Sequence, residues 1–250
     1  MTPSDSIRMD KLCYSIGGRK ILEDFDFHLE RGVNRTILGV SGAGKTTILK
    51  LLLGLLDPDS GTVSIGDLCI TGLPESKFMQ QRKRIAIVFQ GGALFDSMTV
   101  GENVGYRLFE EGRLSQAEIT NIVIEKLSFV GVEAAINLYP AELSGGMKKR
   151  VAIARALAAD PDYIFFDEPT TGLDPIGVYN ICILLQRLQA EGKTTLMVTH
   201  DLVTAFATSQ RFTFLHKARM LFEGSEEEMK SSVIPEVREF LEPTDKSIFV

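Results

Sequence analysis

The stretch Gly39–Thr47, with the sequence GVSGAGKTT, restricts the fold of this chain more than any other part of it. It follows the apolar run RTILGV, which predicts a buried strand, and it precedes TTILKLLLGLLDPDSG, which predicts a buried helix that ends at Asp57–Pro58. Glycines allow positive φ angles and let successive backbone N–H groups surround a phosphate. Because the pattern G-x-x-x-x-G-K-[ST] lies between a strand and a helix, it predicts a phosphate-binding loop.

Two side chains of this loop have the chemistry that phosphates and a metal ion require. Lys45 is expected to meet the terminal phosphates, and the Thr46 hydroxyl is expected to ligate Mg²⁺. The alternative is a glycine turn with a solvated lysine, which the flanking strand and helix disfavour. The residues expected to surround the phosphates are Gly39, Ser41, Gly42, Ala43, Gly44, Lys45, Thr46 and Thr47.

The other elements predict an α/β fold with a mostly parallel sheet. The runs RIAIVFQ, YIFFDEP and TTLMVTH are apolar strands of the kind that is buried on both faces, and they alternate with helical segments such as NICILLQRLQAEG. From about Gly92 to Asp160 the pattern becomes helical, with a capping box at Ser115–Glu118, which predicts an inserted subdomain. The tail after about Ser225 is charged and contains two prolines.

Short strands are predicted from about residue 7 to residue 38. Among them, KILEDFDFHLE alternates and therefore predicts a half-buried strand. The alternation places Leu22, Asp24, Asp26 and His28 on one face and Phe25, Phe27 and Leu29 on the other.

Polar side chains follow three of the predicted buried strands. Asp167 and Glu168 end YIFFDEP, Gln90 ends RIAIVFQ, and His200 ends TTLMVTH. Ligands of open α/β sheets bind beyond the carboxyl ends of the strands. We expect Asp167 to hold Mg²⁺ and Glu168 to orient or deprotonate an attacking water. Gln90 is then expected to face a metal-bound water, and His200 to contact the γ-phosphate or hold the attacking water. The alternatives are exposed loop carboxylates and ordinary strand-end polar residues.

A second helix start has the features of an anion site. In LSGGMKKR, Leu143–Arg150, Ser144 is placed to cap the helix, two glycines occupy its first turn, and three basic residues follow. Cations near a helix N-terminus oppose the helix dipole, which makes sense if an anion binds there. The alternative is a capped helix with solvated basic residues. The chain therefore has two expected anion sites.

Composition disfavours several classes of function. Of the 250 residues, 44% are hydrophobic, enough for one large domain, and the net charge of −6 argues against a nucleic-acid binder. The cysteines Cys13, Cys69 and Cys182 show no metal spacing or disulfide framework, which indicates a reducing compartment. The N-terminus lacks signal-peptide features, and no apolar stretch reaches the roughly 20 residues that a membrane span needs. We expect a soluble, cytoplasmic chain whose membrane role depends on a partner.

The order of these motifs resembles that of the ATP-binding-cassette (ABC) ATPases. The matching motifs are the Walker A loop at Gly39–Thr46, Gln90, LSGG at Leu143–Gly146, the Walker B strand at Ile164–Glu168, GLDP at Gly172–Pro175 and His200. The resemblance implies hydrolysis of ATP with Mg²⁺. It also implies an α/β P-loop NTPase with a mostly parallel core sheet, an N-terminal antiparallel β subdomain and a helical subdomain at about 92–160. The ABC ATPase domain would span 1–225, and the tail 226–250 would be available to a partner.

In ABC ATPases two cassettes pack head to tail, and each nucleotide lies between the P-loop of one chain and the LSGG segment of the other. The resemblance therefore implies that this chain carries two half-sites and works with a second copy of itself. Two residues near the end of the first strand are expected at the adenine base. The nucleotide contacts that the resemblance adds are Ser144, Gly145, Gly146, Asp174, Tyr14 and Ile16, the last two near the adenine.

Three stretches resemble, within this family, the ATPases of Mla/Mce-type lipid transporters: FQGGALFDSMTVGENV, LSGGMKKRVAIARAL with Met147 where glutamine is usual, and VREFLEP. The resemblance implies phospholipid movement between membranes, integral-membrane permease partners, a place at the cytoplasmic face of the inner membrane, and no nucleic acid. It leaves open whether a small STAS-like accessory protein binds. The alternatives are the ATPase of an amino-acid or other solute importer and a cassette acting on DNA or ribosomes. The latter is disfavoured because the chain has neither an inserted coiled coil nor a second cassette.

Overall fold

A computed structural model describes residues 6–242 of the chain. The strands in this part are β1 (Ser6–Ile16), β2 (Arg19–Glu30), β3 (Asn34–Leu38), β4 (Ser60–Ile65), β5 (Leu68–Cys69), β6 (Ile85–Val88), β7 (Tyr163–Asp167), β8 (Thr194–Thr199), β9 (Arg211–His216) and β10 (Arg219–Gly224). The helices are α1 (Lys45–Leu52), α2 (Glu75–Arg82), α3 (Val100–Glu111), α4 (Gln116–Phe129), α5 (Gly145–Ala158), α6 (Pro175–Ala190), α7 (Leu202–Thr208), α8 (Glu226–Lys230) and α9 (Pro235–Leu241). Short 3₁₀ turns lie at Glu133–Ala135 and Pro140–Glu142.

The core sheet has the spatial order β10-β9-β3-β8-β7-β6 within the described residues. Its neighbours pair in parallel except for the β9–β10 hairpin at one edge. In β7, Ile164 and Phe166 enter one hydrophobic core, whereas Tyr163 and Phe165 enter the other. A strand that is buried on both faces has no polar alternation, which explains the continuous apolar runs. The expected mostly parallel sheet is confirmed, and its strands deliver their carboxyl ends to one edge, where the candidate site lies.

The N-terminal strands form a second sheet in the order β2-β1-β4-β5, with every pair antiparallel. The expected antiparallel β subdomain is therefore confirmed. The simple alternation expected along β2 is wrong at Leu22, which is buried. The cause is a bulge, because β2 advances three residues, from Leu22 to Phe25, where β1 advances two, from Leu12 to Tyr14. Asp24, inside the bulge, has a φ of +47°.

The helical insertion lies between β6 and β7. α3 and α4 each begin with a capping box, Thr99 with Glu102 and, as expected, Ser115 with Glu118. These two helices pack on α5 and share one hydrophobic core with a face of the central sheet. Because α5 also contacts β6, it joins the insertion to the core sheet.

One helix end differs from the expectation. α1 ends at Leu52 rather than at Asp57–Pro58. Gly54 has a φ of +60°, and the N–H groups of Gly54 and Leu55 donate to the carbonyl oxygens of Leu51 and Lys50. These are the two hydrogen bonds of a glycine C-terminal cap, so the glycine ends the helix before the proline is reached.

The segment after β10 packs on the sheet. Met229 of α8 and Val237 of α9 are fully buried in the core that contains the helical insertion, and Phe240 contacts Phe214 of β9 with ring centroids 5.0 Å apart. The end of VREFLEP, at Pro243, lies outside the described residues. None of the helices in the described part of the chain has both the length and the apolarity that crossing a membrane requires.

Candidate active site

The loop between β3 and α1 has the geometry that its glycines predict. Gly42 and Gly44 have φ angles of +78° and +104°, which side chains rarely tolerate. A Cβ at Gly39 would lie 2.5 Å from the Leu215 carbonyl oxygen, so this position also excludes a side chain. The loop leads into the start of α1, where N–H groups have no partner within the helix. This backbone fits phosphate oxygens, and it forms one wall of a cavity of about 280 Å³, hereafter the Lys45 cavity.

Lys45 begins α1 and turns its side chain back into the loop. Its Nζ donates to the carbonyl oxygens of Gly39 (2.7 Å) and Val40 (3.2 Å) and lies 3.5 Å from Glu168 Oε1. Burial lowers the pKa of Lys45, and the Glu168 carboxylate opposes that shift. A buried cation held by backbone carbonyls is a charge that an entering phosphate can recruit.

Thr46 and Asp167 form the pair expected to hold Mg²⁺. Thr46 Oγ1 donates to Asp167 Oδ1 at 3.0 Å and lies 3.2 Å from Oδ2. Burial raises the pKa of Asp167, while the hydrogen bond from Thr46 lowers it. Among the described residues, no cluster of three or more His, Cys, Asp or Glu side chains forms a metal cage. Mg²⁺ prefers few protein oxygens together with water and phosphate, so this hydroxyl–carboxylate pair fits it.

Glu168 follows β7 and directs its carboxylate into the Lys45 cavity. Thr199 Oγ1 donates to Oε2 at 2.9 Å, and His200 Nδ1 lies 2.9 Å from Oε1. Burial alone would raise the pKa of Glu168, but the hydrogen bonds from His200 and Thr199 and the charge of Lys45 together bring it below its ordinary value. The carboxylate is therefore ionised at neutral pH and fixed at both oxygens.

Gln90 lines the same cavity. Its backbone carbonyl accepts a hydrogen bond from Lys149, a residue that the sequence did not predict to belong to this site. Lys149, in the second turn of α5, donates from Nζ to the carbonyl oxygens of Gln90 and Glu168. From the sequence, Lys149 is one of three basic residues expected to face an anion, but it is only 6% exposed. The sequence carries no signal that separates it from Lys148 and Arg150, because each of the three basic residues lies three and four residues before positions that are buried in the helix.

The residues of the expected second half-site lie together in a different cavity, of about 430 Å³, hereafter the Ser144 cavity. Ser144, Gly145, Gly146 and Asp174 all line it. Ser144 caps α5 as expected, because its hydroxyl accepts the Met147 N–H at 3.3 Å. Within one chain, the structure thus groups most of the predicted site residues in two cavities, whereas Tyr14, Ile16, Gly39, Ala43 and Asp167 line neither of them.

The two glycines at the start of α5 are not required by the packing of this chain. A Cβ at Gly145 would meet Leu173 Cδ2 at an ordinary 4.0 Å, and a Cβ at Gly146 would meet no described atom within 4 Å. Glycine lowers helix stability by about 1 kcal/mol relative to alanine. Two glycines in open space are consistent with a surface that something outside the chain approaches closely.

The residues expected near an adenine base lie at the end of β1. Tyr14 is half-buried and packs on the core below, whereas Ile16 is 54% exposed. Among the described residues, neither lines the Lys45 cavity, but Ile21 of β2 does. A contact between adenine and Tyr14 or Ile16 stays a prediction, and Ile21 is an apolar wall residue that sequence reasoning missed.

A parallel sheet with a phosphate-binding loop after one strand and an Asp–Glu pair after another defines a P-loop nucleotide hydrolase. Residues 22–171 match the family described as ABC transporter. The chain belongs to this family, and it is an ATPase that uses ATP with Mg²⁺.

Relatives and a solved structure cover most of the chain. The intermembrane phospholipid transport system ATP-binding protein MlaF of Haemophilus influenzae is 37% identical over 236 residues, 94% of this chain and 89% of its own. The chloroplastic protein TRIGALACTOSYLDIACYLGLYCEROL 3 of Arabidopsis thaliana is 38% identical over 243 residues, 90% of this chain and 70% of its own. A dimeric structure of a post-hydrolysis state of the ATP-binding cassette MJ0796, bound to ADP and Pi, matches with a TM-score of 0.80 and 32% identity, over 88% of this chain and 98% of that one. The resemblance to Mla-type ABC ATPases is confirmed.

Proposed function

We propose that this chain is the ATP-hydrolysing subunit of a transporter that moves phospholipid between membranes. The observation that supports hydrolysis is the Glu168 carboxylate, held by Thr199 and His200 and 3.5 Å from the Lys45 ammonium at the wall of a phosphate-binding loop. Phospholipid as the cargo is supported by the 37% identity to an MlaF protein over 94% of the chain.

In this proposal the loop N–H groups and Lys45 hold the terminal phosphates of ATP. Lys45 can exchange its bonds to the Gly39 and Val40 carbonyls for bonds to phosphate oxygens. Thr46, Asp167 and Gln90 would hold Mg²⁺, which would supply positive charge next to the phosphates when bound.

Glu168 acts as the general base for the attacking water. Its lowered pKa keeps the carboxylate free of a proton at neutral pH, and its two oxygens have separate holders in Thr199 and His200. His200 also lines the Lys45 cavity, so its ring borders the space where a terminal phosphate would lie. Hydrolysis by this arrangement needs positioning and charge, and no covalent intermediate on the protein.

A second copy of the chain completes each site. The Ser144 cavity has a helix N-terminus and two glycines that its own chain does not need. In a head-to-tail dimer, the Lys45 cavity of one copy would face the Ser144 cavity of the other, so that ATP favours closure and hydrolysis reopens the dimer. The cassette MJ0796, whose structure is dimeric, supports the formation of a dimer.

The dimer would act with integral-membrane permease subunits, peripheral to the cytoplasmic face of the inner membrane. The tail 226–250 and a small STAS-like protein are further candidate contacts in this assembly. Conversion of ATP to ADP would then drive the permease between states that differ in access to the lipid.

Purification from membranes in mild detergent tests the proposal. We expect permease subunits and phospholipid to co-purify, and labelled phospholipid to move between donor and acceptor vesicles only with ATP. The Glu168→Gln variant should assemble equally well and move no lipid. A soluble solute-binding protein in the complex, with hydrolysis stimulated by an amino acid, would instead identify a solute importer.

A further inference from the structure

The helix α5 has two surfaces with different surroundings. Its first turn, Gly145 and Gly146, lines the Ser144 cavity. Its inner surface faces two loops of the same chain that belong to the Lys45 cavity, those of Gln90 and Glu168. One rigid element therefore borders both half-sites of the chain.

Lys149 is the residue through which α5 contacts the hydrolytic side. Its Nζ donates to the carbonyl oxygen of Gln90 and, at 3.2 Å, to that of Glu168. Burial lowers the pKa of Lys149, and the charges of Asp167 and Glu168 oppose that shift. An ammonium taken out of water is costly unless its hydrogen bonds are replaced, and here backbone carbonyls of two loops replace them.

The Glu168 peptide groups are held on both sides. The Glu168 N–H donates to the Val198 carbonyl at 2.9 Å, which ties it to β8, and the Glu168 carbonyl accepts from Lys149. Between these bonds the residue has a φ of +48°, a strained conformation for a side-chain-bearing residue. Without Lys149 the Glu168 carbonyl would keep only the longer hydrogen bond from the Thr171 N–H, at 3.4 Å, among the described residues, and the direction of the carboxylate would be less well defined.

The same helix also holds the segment that follows Gln90. Arg155 donates to the carbonyl oxygens of Gly92 and Ala93, both at 2.8 Å, and its guanidinium lies 5.7 Å from the centre of the Phe95 ring. Lys149 and Arg155 together fix the Gln90 loop to α5 at several points. The loop is therefore expected to move with the helix.

We propose that Lys149 is a positioning residue for ATP hydrolysis. It acts through Gln90 and Glu168, whose backbones it fixes to α5, and so makes their alignment depend on the position of a helix whose first turn faces the nucleotide of the second copy. This inference rests on the proposed function of the Lys45 cavity. It assigns to each chain a direct mechanical connection from its partner's nucleotide to its own catalytic carboxylate.

Lys149→Met tests the inference, because methionine keeps much of the apolar stem and removes the charge and the donors. We expect kcat for ATP to fall by at least about tenfold, while the dissociation constant of labelled ATP changes by less than about twofold, since the phosphate-binding loop is untouched. Lys149→Arg, which keeps charge and donors, should restore kcat toward the wild-type value. Lys126→Met, a matched change on α4 at a half-buried lysine that pairs with Glu125 outside both cavities, should leave both quantities unchanged.

A kcat of Lys149→Met within about twofold of wild type would overturn the inference. So would an equal loss of ATP affinity and kcat, which would indicate a general structural role, and so would an arginine variant as inactive as the methionine variant. If Lys149→Met does not fold, Lys149→Leu, which also removes the charge and the donors, replaces it under the same criteria. Glu168→Gln, measured in parallel, distinguishes failure of this inference from failure of the proposed function, because full turnover in that variant would refute the proposed site itself.

Discussion

At the scale of single residues, Glu168 combines an unusual backbone with an unusual set of side-chain contacts. Its φ of +48° is of a kind that costs about 1–3 kcal/mol and persists only where neighbours hold it. Val198 and Lys149 hold its peptide groups, and Thr199 and His200 hold its carboxylate. Because four residues hold Glu168 by its backbone and its carboxylate, we infer that its side chain must point in one fixed direction.

Replacing Glu168 with glutamine should separate binding from turnover. Glutamine keeps the shape of the side chain and cannot accept a proton, so we expect hydrolysis to fall by on the order of 100-fold or more with ATP binding retained. Steady-state phosphate release and equilibrium binding of labelled ATP measure the two effects. Glu191→Gln, at the exposed end of α6, is the control and should behave as wild type. Turnover of Glu168→Gln within twofold of wild type would rule out a general-base role.

Replacing Lys45 with alanine should affect binding itself. The change removes a buried cation from a site that depends on charge, so we expect weaker ATP binding and no measurable turnover. Lys50→Ala, an exposed position in the last turn of the same helix, provides the control. Isothermal titration with ATP and Mg²⁺ is the measurement, and an unchanged affinity in Lys45→Ala would contradict the role assigned to the loop.

At the scale of secondary-structure elements, α5 begins with two glycines that lower helix stability, and no contact within the described chain requires a glycine at either position. Gly145→Asp should leave the isolated chain folded, and slightly more stable, because the site is open and a carboxylate in the first turn suits the helix dipole. ATP binding by the monomer should persist. Hydrolysis should be lost, since the carboxylate would meet the phosphate of the partner's nucleotide at close range.

The control for this variant is Gln116→Asp, which places the same carboxylate at the start of α4, outside both cavities. Thermal unfolding, ATP binding and phosphate release are compared for the two chains. Loss of monomer ATP binding in Gly145→Asp as severe as in Lys45→Ala would show that the LSGG segment serves its own chain's nucleotide. The head-to-tail arrangement would then have to be abandoned.

Much of the fold could be predicted because its determinants are local. A glycine loop between a strand and a helix determines the structure of its own segment, and so do capping residues at a fixed spacing. The same locality makes strand-end carboxylates identifiable, since parallel strands bring their carboxyl ends to one edge of a sheet.

The features that could not be predicted depend on tertiary contacts. Lys149 in the sequence is one of three basic residues, and only the packing of α5 on the Gln90 and Glu168 loops distinguishes it from Lys148 and Arg150, which are more exposed. The bulge at Asp24, which reverses the expected side of Leu22, arises from pairing with a strand that is itself irregular. The β9–β10 hairpin lacks the usual local signal, because its two turn residues, Lys217 and Ala218, have φ angles of +45° and +69° although neither is the Asn or Gly that such turns favour.

At the scale of the whole molecule, two half-sites in separate cavities predict a nucleotide-dependent dimer. Glu168→Gln with ATP and Mg²⁺ should elute as a dimer in size-exclusion chromatography with light scattering, and as a monomer without nucleotide, because bound ATP cannot leave by hydrolysis. Adding Gly145→Asp to the same chain should prevent dimer formation. A double variant that still dimerises with ATP would show that the Ser144 cavity is not part of the interface.

Because Ser144 and Lys149 lie on the same helix, the number of residues between them is constrained, whatever the residue types at the two positions. Each residue inserted into a helix rotates the remainder of that helix by about 100° and moves it by about 1.5 Å. One alanine inserted after Met147 would leave LSGG and every other motif intact, yet Lys149 and the helix start could no longer both occupy their places. Such a chain would keep every motif, but Lys149 would no longer connect the Gln90 and Glu168 backbones to a helix start in its present place. The number of residues in this turn and a half of helix is therefore expected to affect ATP hydrolysis as strongly as the identity of the side chains.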